Sequence, residues 1–203
     1  QFAQNTPAWL INLARTSDLH PPLYNLFLHT VGQITFAVTW LRSWSVLWYA
    51  LLLWVLWRNV IKPWNLTQAA RTLLFAVAAT IPFAVFYASE LRSYAAVMLV
   101  GALQFFAFDR ACQKQPGARW WYAVWSLLGL NLFYPFGFIM AAQAAYVVVR
   151  QRRLFTQLLW PWLLVTILYA PWLVSVVLHR LGEQPGHFLT IPWWQIPAVI
   201  VAG

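Results

Sequence analysis

The sequence predicts an all-α polytopic membrane protein of about six to seven transmembrane helices plus a juxtamembrane or re-entrant helix pair. Three observations carry this prediction. Of 203 residues, 62% are hydrophobic and only 8% are charged, whereas a soluble domain carries about 25% charged residues. Several apolar runs approach the roughly 20 residues that a helix needs to cross about 30 Å of hydrocarbon. The cations gather between those runs: Arg58, Lys62 and Arg71, then Arg110, Lys114 and Arg119, then Arg150, Arg152 and Arg153.

That placement also decides what the net charge of +9 means. In a soluble chain it would suggest nucleic acid, but cations confined to the connections between apolar runs mark cytoplasmic loops under the positive-inside bias. Nucleic-acid binding is therefore not expected. The single cysteine, Cys112, can form no intrachain disulfide and says little about redox compartment.

One transmembrane domain is expected over residues 1–203, with 1–42 as an outer-loop and juxtamembrane part and 43–203 as the helices. There is no initiator methionine and the chain stops inside an apolar run, so the sequence reads as an internal fragment. Residues 1–19 are polar enough to lie outside the membrane, with Trp9 suited to headgroup depth. Pro21-Pro22 fixes two φ angles, bars helix at His20 and suits the first turn of a helix beginning at Leu23. Asp18 and His20 are thus held on a stiff approach to that helix.

Residues 23–41 are apolar but contain Asn25, His29, Gly32 and Gln33. If 43–60 spans and delivers Arg58 and Lys62 to the cytoplasm, Arg42 shares the outer side with His20, so 23–41 must enter and leave on one face. A re-entrant or juxtamembrane pair broken near Gly32 is predicted, packed on protein because irregular backbone is not tolerated in lipid. Residues 69–88 are long enough to cross outward, emerging at Glu90, and 93–108 return. The 30-residue run 120–149 has basic flanks and an interruption at Tyr134-Pro135-Phe136-Gly137, which predicts a hairpin of two short helices with an outer tip. Residues 154–178 cross outward with Pro161 and Pro171 as expected kinks, 179–190 form an outer loop, and Pro192 starts another inward crossing. This assignment puts nine of thirteen Lys and Arg inside, a balance of about +8 against about +1 outside. The sequon Asn65-Leu66-Thr67 falls inside and is expected to stay unmodified.

Ionisable residues at a membrane boundary are costly and tend to be functional when they face a cavity. Asp18, His20, Arg42, Glu90, Arg92, His179, Arg180 and His187 share the outer side with Tyr24, Tyr87, Tyr94 and Tyr134, and could line one pocket. At helical spacing Tyr87, Glu90 and Tyr94 fall on one face, while Arg92 points elsewhere, since i,i+2 side chains do not meet. Glu90 is then free to pair with another group. The plainer alternative is a solvated helix end. Asp18 and His20 could hold a divalent metal, though two ligands make a weak site. His20 alone could cap its helix, His29 could be a packing residue, and the His179 to His187 stretch could be a solvated loop. The fifteen tryptophans suit an interfacial belt.

The ordered set Asp18-Leu19-His20-Pro21-Pro22-Leu23-Tyr24, Arg42-Ser43, Pro82 and Tyr87-Ala88-Ser89-Glu90-Leu91-Arg92-Ser93-Tyr94 resembles the bacterial polytopic glycosyltransferases of the GT-C fold. The branch is that of dolichyl-phosphate-mannose:protein mannosyltransferase-like and aminoarabinose-transferase-like enzymes, and the similarity runs over most of residues 6–150. It implies a GT-C-like architecture in a bacterial inner membrane with a periplasmic active face. It implies too a sugar donor carried on a polyprenyl phosphate. In that family an Asp-Glu pair precedes the His-Pro-Pro-Leu-Tyr motif and supplies the general base, so the base is expected upstream of Gln1. Phe133-Tyr134-Pro135-Phe136 departs from the family's Tyr-Thr-His-Tyr-like motif by lacking the histidine.

The resemblance marks Glu90 and Asp18 as catalytic candidates, Glu90 being the one carboxylate here that matches a family motif. His20, Arg92, Arg42 and Arg180 are candidates for stabilising the leaving phosphate, arginine being suited to bidentate contacts. Tyr24, Tyr94 and Tyr134 complete the substrate-binding set. The sugar and the acceptor are not specified. Two other classes stay open: a secondary transporter, which would favour ligands near the bilayer midplane, and a non-catalytic membrane assembly module.

Overall fold

The computed structural model describes residues 21–35 and 37–182, with side chains to residue 177. Every regular element among them is helical. Eight α-helices follow one another: α1 (Pro22–Gly32), α2 (Val38–Leu56, continued by a π-helical turn Trp57–Ile61), α3 (Gln68–Thr80), α4 (Pro82–Ser89), α5 (Tyr94–Cys112), α6 (Ala118–Leu132), α7 (Phe136–Arg150) and, after a 3₁₀ turn Arg152–Leu154, α8 (Phe155–Gly182).

Among the described residues three helical segments are long and apolar enough to cross a membrane: Val38–Ile61, Tyr94–Cys112 and Arg152–Val177. The pair α3 and α4 makes a fourth if it is one broken span. That is fewer than the six to seven expected, for an identifiable reason. The 120–149 run does form the expected hairpin, turning at Phe133 to Pro135, but its arms α6 and α7 have 15 residues each. Such a helix is about 23 Å long, short of a hydrocarbon core. The crossing expected from Pro192 lies outside the described residues.

The break near Gly32 is present, yet residues 38–41 are not the second arm of a re-entrant pair. From Val38 the chain enters α2 and stays helical past Arg42. No proline or glycine interrupts this stretch, and Arg42 is exposed, so its charge need not end a helix. The 69–88 run is likewise not straight: α3 and α4 meet at 49°. Pro82 has no N–H for the Ala78 carbonyl, and it forces Ile81 into an extended conformation (φ −53°, ψ 115°). The freed carbonyl is taken by a neighbour, because the Tyr49 hydroxyl on α2 donates to Ala78 O at 2.6 Å. Pro161 and Pro171, by contrast, lie inside the continuous α8.

Helix α5 is the centre of the bundle, flanked by α2 and α6, with α8 packed on the far side of α6. Buried clusters show how the ends align. Ala107, Phe108 and Ala111 meet Ala118, Tyr122, Val147, Leu154 and Leu158 at one end. Ala96 and Val100 meet Tyr24, Leu28, Leu132 and Phe136 at the other. Small residues on α5 and α6 let the backbones approach closely, the usual device of helices packing in lipid. At Gly129 the closeness is absolute: a methyl group there would collide with the Phe136 ring.

Between these clusters lies a buried polar core. Gln104 (α5) and Gln143 (α7) exchange amide hydrogen bonds, Gln104 Nε2 donating to Gln143 Oε1 at 2.7 Å and Gln143 Nε2 donating to Gln104 Oε1 at 2.9 Å. Gln104 Nε2 also reaches Ser126 Oγ at 3.3 Å. Tyr122 OH donates to Gln143 Oε1 at 3.1 Å and accepts from Trp162 Nε1 at 2.9 Å. Four helices are tied by groups that hydrocarbon cannot solvate. The bundle thus has a Glu90 end, where α4 joins α5, and an Arg110 end, where α5 turns into α6.

Candidate functional site

The joint between α4 and α5 is the most chemically equipped part of the Glu90 end. Helix α4 stops at Ser89, Glu90 is extended (φ −84°, ψ 150°), and α5 begins only at Tyr94. The joint is anchored from α2: Ser45, fully buried, donates its hydroxyl to the Glu90 carbonyl at 2.9 Å. This occupies one of the backbone acceptors that a helix end leaves bare.

Because the backbone is not helical across the joint, the i,i+2 rule does not apply to Glu90 and Arg92. Their side chains meet, with Arg92 Nε 3.7 Å from Glu90 Oε2. The expectation that Glu90 is free of Arg92 is therefore corrected. The pair contributes little to stability, since the Arg92 side chain is 63% exposed. Its consequence is chemical: a guanidinium and a carboxylate stand together, both accessible. The Tyr94 phenol, and after it Glu90, push the Arg92 guanidinium further up from an already high pKa. Arg92 is a permanent cation.

Aromatic rings wall the joint. Tyr87 and Tyr94, expected two turns apart on one face of a continuous helix, instead meet edge to face at 4.5 Å across the break between α4 and α5. Phe133, from the α6 to α7 tip, packs edge-on against Tyr94 at 6.2 Å. The hydroxyl of Tyr134, the tip residue expected at the site, accepts a hydrogen bond from Trp172 Nε1 on α8 at 3.3 Å.

Helix α1 lies against the same end. Tyr24 packs on Trp48 and is buried in the cluster that includes Leu132 and Phe136. Its hydroxyl has no hydrogen-bond partner. Burial pushes that phenol up to about 12. Two further unpartnered polar atoms, Trp40 Nε1 and Trp44 Nε1, sit on the adjoining α2, and a third, His29 Nδ1, on α1. Most of the unsatisfied buried side-chain atoms among the described residues thus cluster around the α1 and α2 contact, a departure that asks for a ligand or water. Arg42 is exposed one helical turn before Ser45, on the same face of α2.

Glu90, Arg92, Tyr94, Tyr24 and Arg42 therefore belong to one end of the bundle, with Ser45 fixing the Glu90 carbonyl. Asp18 and His20 lie outside the described residues, as does the Arg180 side chain. No three His, Cys, Asp or Glu side chains converge among the described residues.

No family model, curated protein or solved structure matches this chain.

Sequence reasoning missed Ser45 and Phe133, and it missed the whole Gln104–Gln143 core. A serine or glutamine inside an apolar run was the available signal, since each must find a partner when buried. It missed also a groove of about 530 Å³ between α5 and α7, walled by Phe105, Phe108, Ile139 and Tyr146, toward the Arg110 end.

Proposed function

We propose that this chain is part of a membrane glycosyltransferase of the GT-C type. It moves a sugar from a polyprenyl phosphate to an acceptor hydroxyl at the extracytoplasmic face of a bacterial inner membrane, through a GT-C-like helical bundle. The observation that carries the proposal is the accessible Glu90–Arg92 pair on a joint pinned by Ser45 and walled by Tyr87, Tyr94 and Phe133.

The chemistry needs what this joint offers. The acceptor oxygen forms a bond to the anomeric carbon, the bond from that carbon to the phosphate oxygen breaks, and the acceptor proton passes to a carboxylate. Charge grows on the departing lipid phosphate, and Arg92, with Arg42 on the neighbouring helix, is a cation suited to receive it. Glu90 orients Arg92 and the acceptor, supporting a base carried elsewhere in the protein. Asp18 and His20, on the stiff approach to α1, and Arg180 beyond α8 are further contributors, and the tyrosine rings offer faces to a sugar. Polar groups at mid-depth, where a transporter would hold its cargo, are spent on one another in the Gln104–Gln143 core.

The test uses the complete protein and a labelled polyprenyl-phosphate sugar. Glu90→Gln and Arg92→Ala are each expected to lower transfer by about a hundredfold or more, the scale of losing one transition-state contact. Turnover like the parent's in both variants would defeat the assignment.

A further inference from the structure

The Arg110 end carries a second constellation, independent of the Glu90 joint. Helix α2 does not finish as a regular helix: at Trp57–Ile61 it widens into a π turn, closed by Lys62 N–H donating to Trp57 O at 2.8 Å. Such turns are rare and are frequently found at functional sites. This one presents Asn59, whose amide is fixed at both ends. Asn59 Nδ2 donates to Val55 O at 2.8 Å, so its oxygen must face the other way, where it accepts from Arg110 Nη2 at 2.8 Å.

Asn59 thereby aims the Arg110 guanidinium without neutralising it. The adjacent carboxylate, Asp109, keeps its charge but accepts from Gln113 Nε2 at 2.8 Å and makes no ion pair with Arg110; among the described residues the ion pair is Glu90–Arg92. Four of the five guanidinium N–H groups are left for something else. Asn59 and Arg110 line a cleft of about 250 Å³ beside α5 and α6, together with Leu103, Phe106, Trp121 and Trp125. The two indoles are stacked, 5.9 Å apart and 21° from parallel. Trp121 is largely exposed despite its size. Arg58, Lys62 and Arg119 are exposed around the same end.

An oriented, uncompensated arginine above an apolar, tryptophan-walled cleft, at the cationic end of a membrane bundle, matches an amphiphile with an anionic head. We propose that this cleft binds the headgroup phosphate of an anionic phospholipid, held by Arg110 as positioned by Asn59, with the glycerol and upper acyl carbons against Trp121 and Trp125. A free phosphate would leave the apolar walls without a partner, and a zwitterionic lipid would bring its own cation toward Arg110. Basic pockets between transmembrane helices are suited to anionic headgroups in this way.

The experiment is lipid retention by the purified full chain. The protein is taken from vesicles of equal phosphatidylglycerol and phosphatidylcholine, and the lipid that stays bound is counted by native mass spectrometry. The parent is expected to retain phosphatidylglycerol preferentially. Arg110→Gln should reduce that preference about fivefold, the scale of one juxtamembrane cation. Arg153→Gln, a cation outside the cleft, should leave it unchanged. Arg110→Lys keeps the charge but loses the fork that Asn59 orients, so an intermediate preference is expected; it also serves as the readout if Arg110→Gln does not fold. Equal retention of both lipids by the parent, or an unchanged preference in Arg110→Gln or Arg110→Lys, would overturn the proposal. So would full competition by soluble glycerol phosphate, which would show a small-anion site instead.

Discussion

Replacing Tyr49 by phenylalanine removes a single oxygen, yet it is expected to weaken the bundle at the bend on which the Glu90 joint hangs. Pro82 deprives the Ala78 carbonyl of its helical donor, and Tyr49 OH replaces that donor at 2.6 Å. The tyrosine is buried, at 9% exposure, so water does not compete. An unsatisfied buried acceptor costs about 1–3 kcal/mol in soluble proteins. Side-chain hydrogen bonds in membranes average about 0.6 and reach about 1.7 kcal/mol. The expected cost of Tyr49→Phe is therefore about 1–2 kcal/mol, measured as the shift in the unfolding midpoint during titration of mixed micelles with a denaturing detergent.

The decisive measurement is the double-mutant cycle with Pro82→Ala. Alanine at 82 restores an N–H that can close on Ala78 O, so in that background the hydroxyl is redundant and Tyr49→Phe should cost less than about 0.5 kcal/mol. A coupling of about 1 kcal/mol is the signature of a carbonyl freed by proline and rescued from α2. If Tyr49→Phe costs the same in both backgrounds, the hydroxyl is not compensating for Pro82 and the account of the bend fails.

Other expectations follow from equally specific contacts. Gln143→Leu breaks three hydrogen bonds in the polar core and strands Gln104 and Tyr122, which should cost roughly 2 kcal/mol at about 0.6 kcal/mol per bond; the Gln104→Leu/Gln143→Leu double variant should recover much of it, because no amide is then left unpaired. Gly129→Ala drives a methyl into the Phe136 ring and should destabilise by about 1–3 kcal/mol, with partial rescue by Phe136→Leu in the same unfolding assay. Lys114 closes α5 at φ 60°, where Gln115 N–H donates to Arg110 O and Lys114 N–H to Ala111 O, each at 3.0 Å. This position favours glycine, so Lys114→Gly should stabilise by about 0.5–1 kcal/mol despite losing a cation at a helix C-terminus.

What the sequence made legible were features that act locally. The hairpin tip at Tyr134-Pro135-Phe136-Gly137, the break near Gly32 and the cationic connections all follow from single residues whose backbone or charge requirements admit few solutions. What escaped were pairings between distant positions. Gln104 and Gln143 each read as an isolated polar residue in an apolar run, and only the fold shows that each is the other's partner across 39 positions. The Glu90–Arg92 error has a different origin: the spacing rule was sound for a helix, but the chain leaves the helix at Ser89. Pro82 held the warning, since the i−4 carbonyl it frees must be satisfied somewhere and a straight span leaves no means of doing so.

The two ends of the bundle are therefore built on different principles. At the Arg110 end a cation is fixed by a neutral amide, which orients the guanidinium and leaves its charge uncompensated, an arrangement for holding an anion at rest. At the Glu90 end the cation is paired with a carboxylate on a non-helical joint, and the pair is open enough that a ligand can exchange for either partner at little cost in stability. The proposed transfer, which would move a proton and release a phosphate, is suited to that second arrangement, in which carboxylate and guanidinium can be rearranged without unfolding what holds them. The holding is done elsewhere, by Ser45 on the Glu90 carbonyl and Tyr49 on the Ala78 carbonyl. Both come from α2, one helical turn apart, so a change in either should alter the joint before it alters the rest of the bundle.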